Sequence, residues 1–385
     1  MTEDRPHIGL TLEWAGTEAG GIEVYAKSLV SALAARGGLR LTAYTARPGA
    51  MEGISGLDAR FLGTRSRAAF HGAFLPWELL RRPPDLLHVT SIPPLVSPVP
   101  FVMTLHDMGH RVMPDMYPPR IRWRLDRTIT SGLRRARRIV CISEATRRDL
   151  LDHHPEVSED RIDVIGEGSL LDPRPAAPAA DGAVRARYGL RDGYFHYVGR
   201  LHVRKNLVRL IDAFAALPAD VRAAHPLVLT GREMYGEGEV AARIEHHGLG
   251  DLVRMTGHVP DADLPALMRG ALAFVYPSLF EGFGLPPLEA MALGVPVIVS
   301  DAHSLPEVVA DAGLQVDATE AASLAGAMLR LAGDPALRET LSARGRARAE
   351  RFTWSRTADR MARTYMRALD SVPVHAERGP TAGAT

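Results

Sequence analysis

The chain has 385 residues, enough for two domains that each bury a hydrophobic core. Its formal net charge of +1 argues against a nucleic-acid partner, and its single cysteine, Cys141, excludes a disulfide within the chain. No apolar stretch approaches the roughly 18 residues of a membrane-spanning helix, and the N-terminus lacks an apolar signal region. The sequence therefore predicts a cytoplasmic protein.

The N-terminal half begins with a predicted strand over residues 7–13, after which Gly20 and Gly21 open a helix with apolar residues at helical spacing. Glycines ahead of a helix N-terminus can hold an anion, although most such pairs are only tight turns. His106 ends a later strand, and His88 lies in the strand before it. Histidines in such places are more often hydrogen-bonded structural residues than ligand-binding ones.

Residues 111–138 combine many arginines with an apolar stripe. The residues of the stripe recur at helical spacing: Ile121, Leu125, Ile129, Leu133 and Ala136. Trp123 falls on the opposite side of the predicted helix, beside Arg124 and Arg127. Either Trp123 packs on a neighbouring loop and the arginines form a solvated face, or this face contacts a membrane that carries anionic lipids.

The stretch 172–181 is rich in proline and alanine, which is typical of an interdomain linker. The first strand beyond it runs directly into a polar segment that contains Gly199, Arg200, Lys205 and Asn206. Lysine and arginine together number 46, and only Lys27 and Lys205 are lysines. A lysine at position 205 therefore indicates a demand for a compact ammonium group, as in a phosphate site.

A strand, a glycine-rich loop, a helix and a second strand follow one another over residues 271–300. Glu281 lies in the Glu-Gly-Phe-Gly loop, and Pro286 and Pro287 predict a helix start that puts Glu289 in the first helical turn. The sequence thus predicts two carboxylates at the carboxyl ends of parallel strands, where open sheets bind ligands, and Glu289 would suit a ribose diol. The alternative is a loop carboxylate and a helix-dipole carboxylate that bind nothing.

Two further patterns are interpreted as having no chemical function. Residues 236–241 match the dinucleotide-binding fingerprint, but five residues separate them from the preceding strand and no ribose-binding acid follows the next strand. Asp261 and Asp263 match a metal-binding Asp-x-Asp pattern, but they precede an apolar helix and are predicted to cap it. No metal site is expected.

The spacing Glu281-x7-Glu289 resembles the motif of the family 4 glycosyltransferases, a family that retains anomeric configuration and has the two-domain GT-B fold. The upstream segment Gly199-Arg200-x4-Lys205 and the Gly20-Gly21 loop match further motifs of this family. The resemblance covers nearly the whole chain and is strongest over residues 194–315.

The resemblance implies an α/β protein with GT-B architecture, in which two Rossmann-like domains face a deep interdomain cleft. Residues 1–175 would form the N-terminal acceptor domain and residues 182–354 the C-terminal nucleotide-sugar donor domain. A last helix at about 355–370 would pack back on the N-terminal domain. Residues 373–385 are expected to be a disordered tail.

The resemblance also implies the site residues. The donor-binding residues would be Gly20, Gly21, Arg200, Lys205, Asn206, Glu281, Gly282, Phe283, Gly284, Leu285 and Glu289. The catalytic residues would be Glu281, His106, Lys205 and Arg200. Arg200 and Lys205 would stabilise the departing β-phosphate, and Glu281 would position the hydroxyls of the donor sugar without forming a covalent bond. Neither a cofactor nor a metal is expected.

The predicted reaction is the retaining transfer of a hexose from a nucleoside diphosphate sugar to a hydroxyl of a glycan, lipid-linked or small-molecule acceptor. Residues 276–286 look most like those of bacterial mannosyltransferases of polysaccharide assembly, so GDP-mannose is the first expectation for the donor, ahead of UDP-sugars and dTDP-rhamnose. A contact through Trp123, Arg124 and Arg127 would place the protein on the inner membrane face. The alternative functions are a retaining glycosidase that uses the two carboxylates and a non-catalytic sugar-nucleotide-binding subunit.

Overall fold

The computed structural model describes residues 5–17, 20–51, 53–171, 178–232 and 238–371. The chain forms two compact units. Unit 1 contains the described residues up to Glu167 together with those from Trp354 onward, and unit 2 spans Gly168–Thr353. The predicted tail 373–385 and residues 172–177 of the predicted linker lie outside the described residues.

Unit 1 is built on a seven-stranded sheet in the order β3-β2-β1-β4-β5-β6-β7, with parallel pairing between neighbours. Its strands are β1 (His7–Leu12), β2 (Arg40–Thr45), β3 (Leu57–Phe61), β4 (Leu86–Val89), β5 (Phe101–Leu105), β6 (Arg138–Cys141) and β7 (Ile162–Val164). Its helices are α1 (Gly21–Arg36), α2 (Arg67–Ala69), α3 (Leu75–Arg81), α4 (Gly109–Val112), α5 (Pro119–Arg135), α6 (Glu144–His153) and α16 (Trp354–Asp370). A π-helical turn, Phe70–Phe74, joins α2 to α3, and 3-10 turns occur at Pro114–Met116 and Glu159–Arg161.

Helices cover both faces of this sheet, so its central strands β1, β4 and β5 are buried on both sides. On one face, Leu87 of β4 and Met103 of β5 pack in a cluster with residues of α3, α5 and α6. On the other face, His88 of β4 bonds to Tyr365 of α16, and α16 packs along α1. The last helix of the chain therefore belongs to the layer that covers the first sheet.

Unit 2 has a six-stranded parallel sheet in the order β10-β9-β8-β11-β12-β13. Its strands are β8 (Tyr194–Val198), β9 (Leu227–Thr230), β10 (Val253–Gly257), β11 (Ala271–Tyr276), β12 (Val297–Ser300) and β13 (Leu314–Val316). Its helices are α7 (Pro178–Arg187), α8 (Leu207–Ala215), α9 (Ala219–Ala224), α10 (Glu239–His246), α11 (Leu264–Arg269), α12 (Leu285–Ala292), α13 (Leu305–Val309), α14 (Ala321–Gly333) and α15 (Pro335–Ala349). Short 3-10 turns occur at Val203–Lys205 and Ala310–Ala312.

Both sheets reverse their strand order once, as doubly wound Rossmann-like sheets do. The reversal lies between β1 and β4 in unit 1 and between β8 and β11 in unit 2. Ligands of such sheets bind outside the carboxyl ends of the strands at this point. The loops that follow β8 and β11 are therefore where a ligand site is expected.

Three sequence expectations differ from the structure. α12 begins at Leu285 instead of Pro286, because Gly284 adopts a left-handed φ of 119° and ends the loop one residue earlier. Glu289 therefore lies in the second turn of α12. The apolar stripe of α5 is buried at Leu133 but is 37% exposed at Ile121, because only the C-terminal part of the helix packs on the sheet. A helix, α7, replaces the end of the predicted linker.

Candidate active site

The loop after β8 is shaped by a close approach of two backbones. Gly199 has a φ of 153° and Gly231 a φ of 149°, and a Cβ on Gly231 would lie 1.8 Å from the carbonyl oxygen of Gly199. A side chain is thus excluded at position 231. The loop continues into the Val203–Lys205 turn and ends at Asn206, which is left-handed at φ 59° and donates from its side-chain amide to the Ala318 carbonyl at 2.6 Å. Lys205 is thereby held at the start of α8.

A buried ion pair joins this loop to the loop after β11. The Lys205 ammonium donates to a carboxylate oxygen of Glu281 and to the Tyr276 hydroxyl, the latter at 2.6 Å. It also lies 4.9 Å from the centroid of the Tyr276 ring, which stacks on Tyr197. Two residues that are 76 positions apart in the sequence therefore meet at the switch point of the sheet.

Glu281 has further donors besides Lys205. The Ser278 hydroxyl donates to the same carboxylate oxygen, and the Arg204 guanidinium lies 3.3 Å from the other oxygen and 2.7 Å from the Phe280 carbonyl. Burial by itself would raise the pKa of Glu281, but the charges of Lys205 and Arg204 and the hydrogen bonds outweigh burial and lower it to about 2. The carboxylate is therefore ionised throughout the physiological range.

The backbone of the Glu281–Gly284 loop is bound by residues that follow β12. The Ser304 hydroxyl lies 2.6 Å from the Glu281 carbonyl oxygen and 2.7 Å from that of Phe283, and the His303 ring nitrogen Nδ1 also contacts the Glu281 carbonyl. The Ser300 hydroxyl donates to the Ser278 carbonyl. The ends of β11 and β12 are thus tied together at the loop.

The other residues predicted in unit 2 lie on the same two loops or on α12. Arg200 is exposed beyond the end of β8, and its carbonyl accepts from Tyr197 at 3.1 Å. Phe283 is buried and packs edge-on against Phe352, with 5.8 Å between ring centroids. Gly282 and Leu285, the first residue of α12, are half-buried.

Glu289 has an environment unlike that of Glu281. Glu289 is half-buried, and the desolvation of its carboxyl group, with a smaller contribution from Asp261, raises the pKa of Glu289 to about 8. At neutral pH the group is a carboxylic acid that can both donate and accept a hydrogen bond. The two glutamates of the motif thus differ in charge at neutral pH.

In unit 1, Gly20 is the N-cap of α1 with a φ of 74°, and a Cβ on Gly21 would meet no atom within 4 Å. His106 lies at the carboxyl end of β5, where its Nε2 donates to the Thr90 carbonyl at 2.8 Å and its ring packs edge-on against Tyr25. This bond fixes the tautomer that leaves Nδ1 as an acceptor, and burial lowers the pKa of His106.

His88 is a structural residue. It is fully buried, and its ring nitrogens bond to Tyr365 at 2.7 Å and Thr104 at 2.8 Å. Burial lowers the pKa of His88 to about 3, so the ring is neutral. Both nitrogens are occupied within the protein, which excludes His88 from ligand binding.

Sequence reasoning missed several groups that follow buried strands. Arg204, Ser278 and Ser304 all contact the Glu281 loop, and each lies within a few residues of a strand end. In unit 1, Glu13 follows β1 with a fully buried side chain, 3.4 Å from Nε2 of His71. The signal that could have found all of these is position at the carboxyl edge of a parallel sheet.

The predicted capping role of Asp263 is wrong. Asp263 is the N-cap residue of α11 but makes no side-chain cap bond. Its carboxylate accepts from Arg187 and Tyr188 instead, at 2.7 and 2.8 Å, because the region of α7 lies against α11. Of the fingerprint-like stretch 236–241, residues 236 and 237 lie outside the described part of the chain. In that described part, no group of three or more metal-ligating side chains could hold a metal ion.

Among the described residues, no helix combines the length and the apolar character needed to cross a bilayer.

Comparison with known proteins assigns the family. The family described as Glycosyltransferase Family 4 matches residues 19–168, and the one described as Glycosyl transferases group 1 matches residues 185–348. The chain is 35% identical over 268 residues to the O-antigen chain mannosyltransferase B of Escherichia coli, a match that covers 69% of each protein. It is 30% identical over 243 residues to the serotype-specific mannosyltransferase WbdA of Escherichia coli, covering 62% of this chain and only 29% of that protein.

Among solved structures, the sucrose-phosphate synthase of Thermosynechococcus elongatus is similar to this chain with a TM-score of 0.75 and 24% identity, over 94% of this chain and 98% of that one. This similarity confirms the predicted GT-B class with its two Rossmann-like units. Because the family matches span both sheets and a relative of 35% identity is covered over 69% of its length, the chain belongs to glycosyltransferase family 4 and is a retaining hexosyltransferase.

Proposed function

We propose that this glycosyltransferase transfers mannose from GDP-mannose to a hydroxyl group of a growing glycan, with retention at the anomeric carbon. The observation that carries the assignment of the donor site is the Lys205–Glu281 pair, a carboxylate kept ionised beside two cations at the switch point of unit 2. The choice of mannose rests on the mannosyltransferases of Escherichia coli that the chain matches.

The cations of the loop after β8 meet the diphosphate. When the bond between the sugar C1 and the β-phosphate oxygen breaks, negative charge develops on that phosphate, and Lys205 and Arg200 stabilise it. Lysine supplies a point charge and arginine a two-pronged donor, so the two bind different phosphate oxygens. Arg204 holds Glu281 and adds to the positive potential.

Glu281 acts on the sugar. Its ionised carboxylate accepts hydrogen bonds from sugar hydroxyls and stabilises the positive charge that develops at the ring as the donor bond breaks. The acceptor oxygen forms its bond to C1 on the face that the phosphate leaves, and the proton of the acceptor hydroxyl passes to the departing phosphate. Glu281 forms no covalent bond in this scheme, and its low pKa makes it a poor proton donor.

Glu289 binds the ribose of the donor in this proposal. A ribose diol presents hydroxyls that both donate and accept, and a neutral carboxylic acid matches both. Gly20, Gly21 and His106 are assigned to donor and acceptor binding by unit 1. Two observations support that assignment: the open space beside Gly21, and Nδ1 of His106, which can accept a hydrogen bond.

The test is a screen of nucleotide sugars by thermal unfolding, since a bound donor raises the melting temperature by mass action. The expected result is stabilisation by GDP-mannose and GDP, then mannosyl transfer to a glycan acceptor with the anomeric configuration of the donor, unaffected by EDTA. If only another nucleotide sugar stabilises the protein, that compound replaces GDP-mannose as the proposed donor. Glycan hydrolysis without any nucleotide would favour the glycosidase, and binding without turnover on an acceptor panel would favour a non-catalytic subunit.

We also propose that unit 1 contacts an anionic membrane surface. Trp123 of α5 is 64% exposed beneath the Arg127 guanidinium, 5.6 Å from the ring centroid, and Trp77 of α3 is 63% exposed. Buried residues of both helices pack in the same cluster, so the two helices lie on the same face of the sheet. Exposed indoles among arginines suit the interface of a bilayer with anionic lipids. The contact would bring a lipid-linked acceptor to the enzyme.

A further inference from the structure

The Glu281–Gly284 loop depends on one buried hydroxyl group. Ser304 is fully buried, and its single O–H is shared between the carbonyl oxygens of Glu281 and Phe283, at 2.6 and 2.7 Å. The Glu281 carbonyl also receives a hydrogen bond from Nδ1 of His303. Two peptide groups of a loop that carries the central carboxylate are therefore oriented by residues from outside it.

The orientation of these carbonyls decides where the rest of each peptide group points. In a trans peptide the C=O and N–H bonds are antiparallel. With the Glu281 and Phe283 carbonyls drawn toward the start of α13, the N–H bonds of Gly282 and Gly284 point away from it. Glycines follow both carbonyls, and Gly284 has a φ of 119°. Such peptide groups rotate easily unless something holds them.

The segment that holds the loop is itself firmly placed. His303 has a φ of 54°, a left-handed conformation that non-glycine residues adopt only when their surroundings impose it. Just before it, the Ser300 hydroxyl is bonded to the Ser278 carbonyl, which joins the ends of β12 and β11. Ser304 then opens α13 as its N-cap without bonding to the helix, because its hydroxyl is committed to the loop.

We propose that Ser304, assisted by His303, is a positioning residue that sets the peptide orientation of the Glu281–Gly284 loop and so directs its amides and the Glu281 carboxylate toward the donor. This inference rests on the proposed function of the loop in donor binding. In this proposal neither residue contacts the reacting atoms. Their effect is exerted through the backbone.

The experiment compares Ser304→Ala with Ser304→Thr, which keeps the hydroxyl, and with Ser342→Ala as a matched control. Ser342 also donates to a carbonyl in unit 2, that of Gly294 at 2.6 Å. The readouts are kcat, KM for the donor, the Kd of the nucleoside diphosphate by calorimetry, and hydrogen exchange of the peptide that contains the loop. We expect Ser304→Ala to lower kcat about 10-fold or more, to weaken nucleotide binding several-fold and to speed exchange in the loop, with Ser304→Thr recovering most of each effect.

His303→Gly serves as a second variant if Ser304→Ala does not fold, because glycine suits the positive φ while the imidazole donor is lost. A smaller change of the same kind in kcat and loop exchange is expected. If Ser304→Ala and His303→Gly behave like the control Ser342→Ala in every readout, the proposal is overturned. Faster loop exchange with unchanged kcat and Kd would overturn it as well, since the hydroxyl would then only stabilise the fold. A wild-type protein that binds no nucleoside diphosphate refutes the proposed function itself, and the positioning role with it.

Discussion

The contact between Glu281 and Lys205 is expected to affect both the stability of the fold and the turnover of the enzyme. Each is buried, and each satisfies the charge of the other. Removing one partner leaves the other charge in the interior without its closest counter-charge, which costs about 3–5 kcal/mol of unfolding free energy in comparable buried pairs. Removing a preorganised charge from a transition-state site lowers turnover by about 10²-fold or more. The loss of stability can be separated from the loss of turnover, because removing both residues is expected to restore part of the stability and none of the turnover.

We predict that Glu281→Ala and Lys205→Ala each lower kcat by about 10²-fold or more. Each single variant should also lose unfolding free energy, whereas the double variant should recover part of that loss without recovering activity, since no lone charge stays buried. Steady-state kinetics and denaturant unfolding measure the two quantities. Asp359→Ala, which breaks an exposed pair with Arg36, is the control and should cost under about 1 kcal/mol. Wild-type kcat in either single variant would contradict the assigned roles.

The low pKa of Glu281 also predicts how the free energy of unfolding falls at acid pH. Its pKa is lowered to about 2 in the folded protein, below the value of 4.5 that an unstructured glutamate has. A group of this kind stabilises the fold fully above its unfolded pKa and loses that contribution as the pH falls from about 4.5 toward 2. Part of the acid sensitivity of the protein therefore comes from this one side chain.

Glu289 has the opposite pH dependence. Its pKa is raised to about 8, so its favourable contribution to folding is complete below about 4.5 and is lost as the pH rises through 8. Above pH 8 a second negative charge also approaches the diphosphate of a bound nucleotide. We predict that wild-type affinity for the nucleoside diphosphate falls above pH 8, and that Glu289→Gln, a neutral isostere, removes this fall while binding normally at pH 7.

Calorimetry across pH 6–9 tests the assignment of Glu289, with Glu289→Ala as the variant that loses the hydrogen bonds altogether. Glu289→Ala should weaken nucleotide binding more than it lowers kcat, because the ribose contact is the same in ground and transition states. Unchanged nucleotide affinity in Glu289→Ala would reject a ribose contact.

At the scale of single elements, α16 covers part of one face of the sheet in unit 1. Its Tyr365 hydroxyl bonds to His88, its Thr364 hydroxyl donates to Asp163 at 2.9 Å, and Arg367 pairs with the same carboxylate. Asp163 in turn accepts from Arg138 of β6 at 2.7 Å. One helix thus supplies polar partners to residues of β4 and β7.

We predict that Tyr365→Phe destabilises the protein by about 1–3 kcal/mol, because a fully buried His88 nitrogen loses its partner. Ser371→Ala removes a hydroxyl at the end of α16 that bonds only to its own helix, and it should change stability little. Denaturant midpoints measure both. A Tyr365→Phe protein as stable as Ser371→Ala would show that His88 finds another partner.

The elements that the sequence predicted well are those with one dominant signal. The predominantly apolar stretches 194–198 and 271–276, which the sequence predicts as strands, form strands with these bounds, because burial on both sides of a parallel sheet favours apolar residues. The start of α12 differs by one residue because Gly284 has a φ of 119°, and a Cβ there would lie 2.7 Å from Leu305, a tertiary contact that no local sequence pattern reports. The exposure of Ile121 was missed for a similar reason, since helical spacing identifies a face but not how far a neighbour covers it.

Within the site, sequence motifs identified Lys205 and Glu281 but not their partnership. Their contact joins loops after two different strands, and a spacing within one motif carries no information about it. Arg204 and Ser304 were missed because an arginine and a serine next to a strand end are common in any sequence. The neutral state of Glu289 depends on desolvation, which is a property of the packed protein alone.

At the scale of the whole molecule, α3 and α5 each expose an indole, and exposed arginines accompany the indole of α5. We predict that the protein co-sediments with vesicles that contain phosphatidylglycerol, and not with phosphatidylcholine alone, at low salt. Trp123→Ala and Arg124→Glu should reduce binding several-fold, because each removes either the interfacial anchor or an electrostatic contact.

Arg330→Glu, an equal charge change on an exposed arginine of α14 in unit 2, controls for net charge and should bind as the wild type does. If Arg330→Glu weakens binding as much as Arg124→Glu does, the attraction is a general effect of charge and not of this surface. Absence of vesicle binding at low salt would refute the membrane contact and leave the glycosyltransferase assignment intact.

Unit 2 is one unbroken segment of the chain, whereas unit 1 is assembled from two segments that flank it. During synthesis, the ribosome therefore releases every strand of the first sheet long before it releases α16. Until then His88 lacks its Tyr365 partner, and the side of α1 that packs against α16 has nothing to pack on. Unit 2 can therefore finish folding before unit 1, because unit 1 needs the last helix of the chain. A truncation that removes Trp354–Asp370 would thus damage the unit that begins the chain, and not the unit that directly precedes this helix in the sequence.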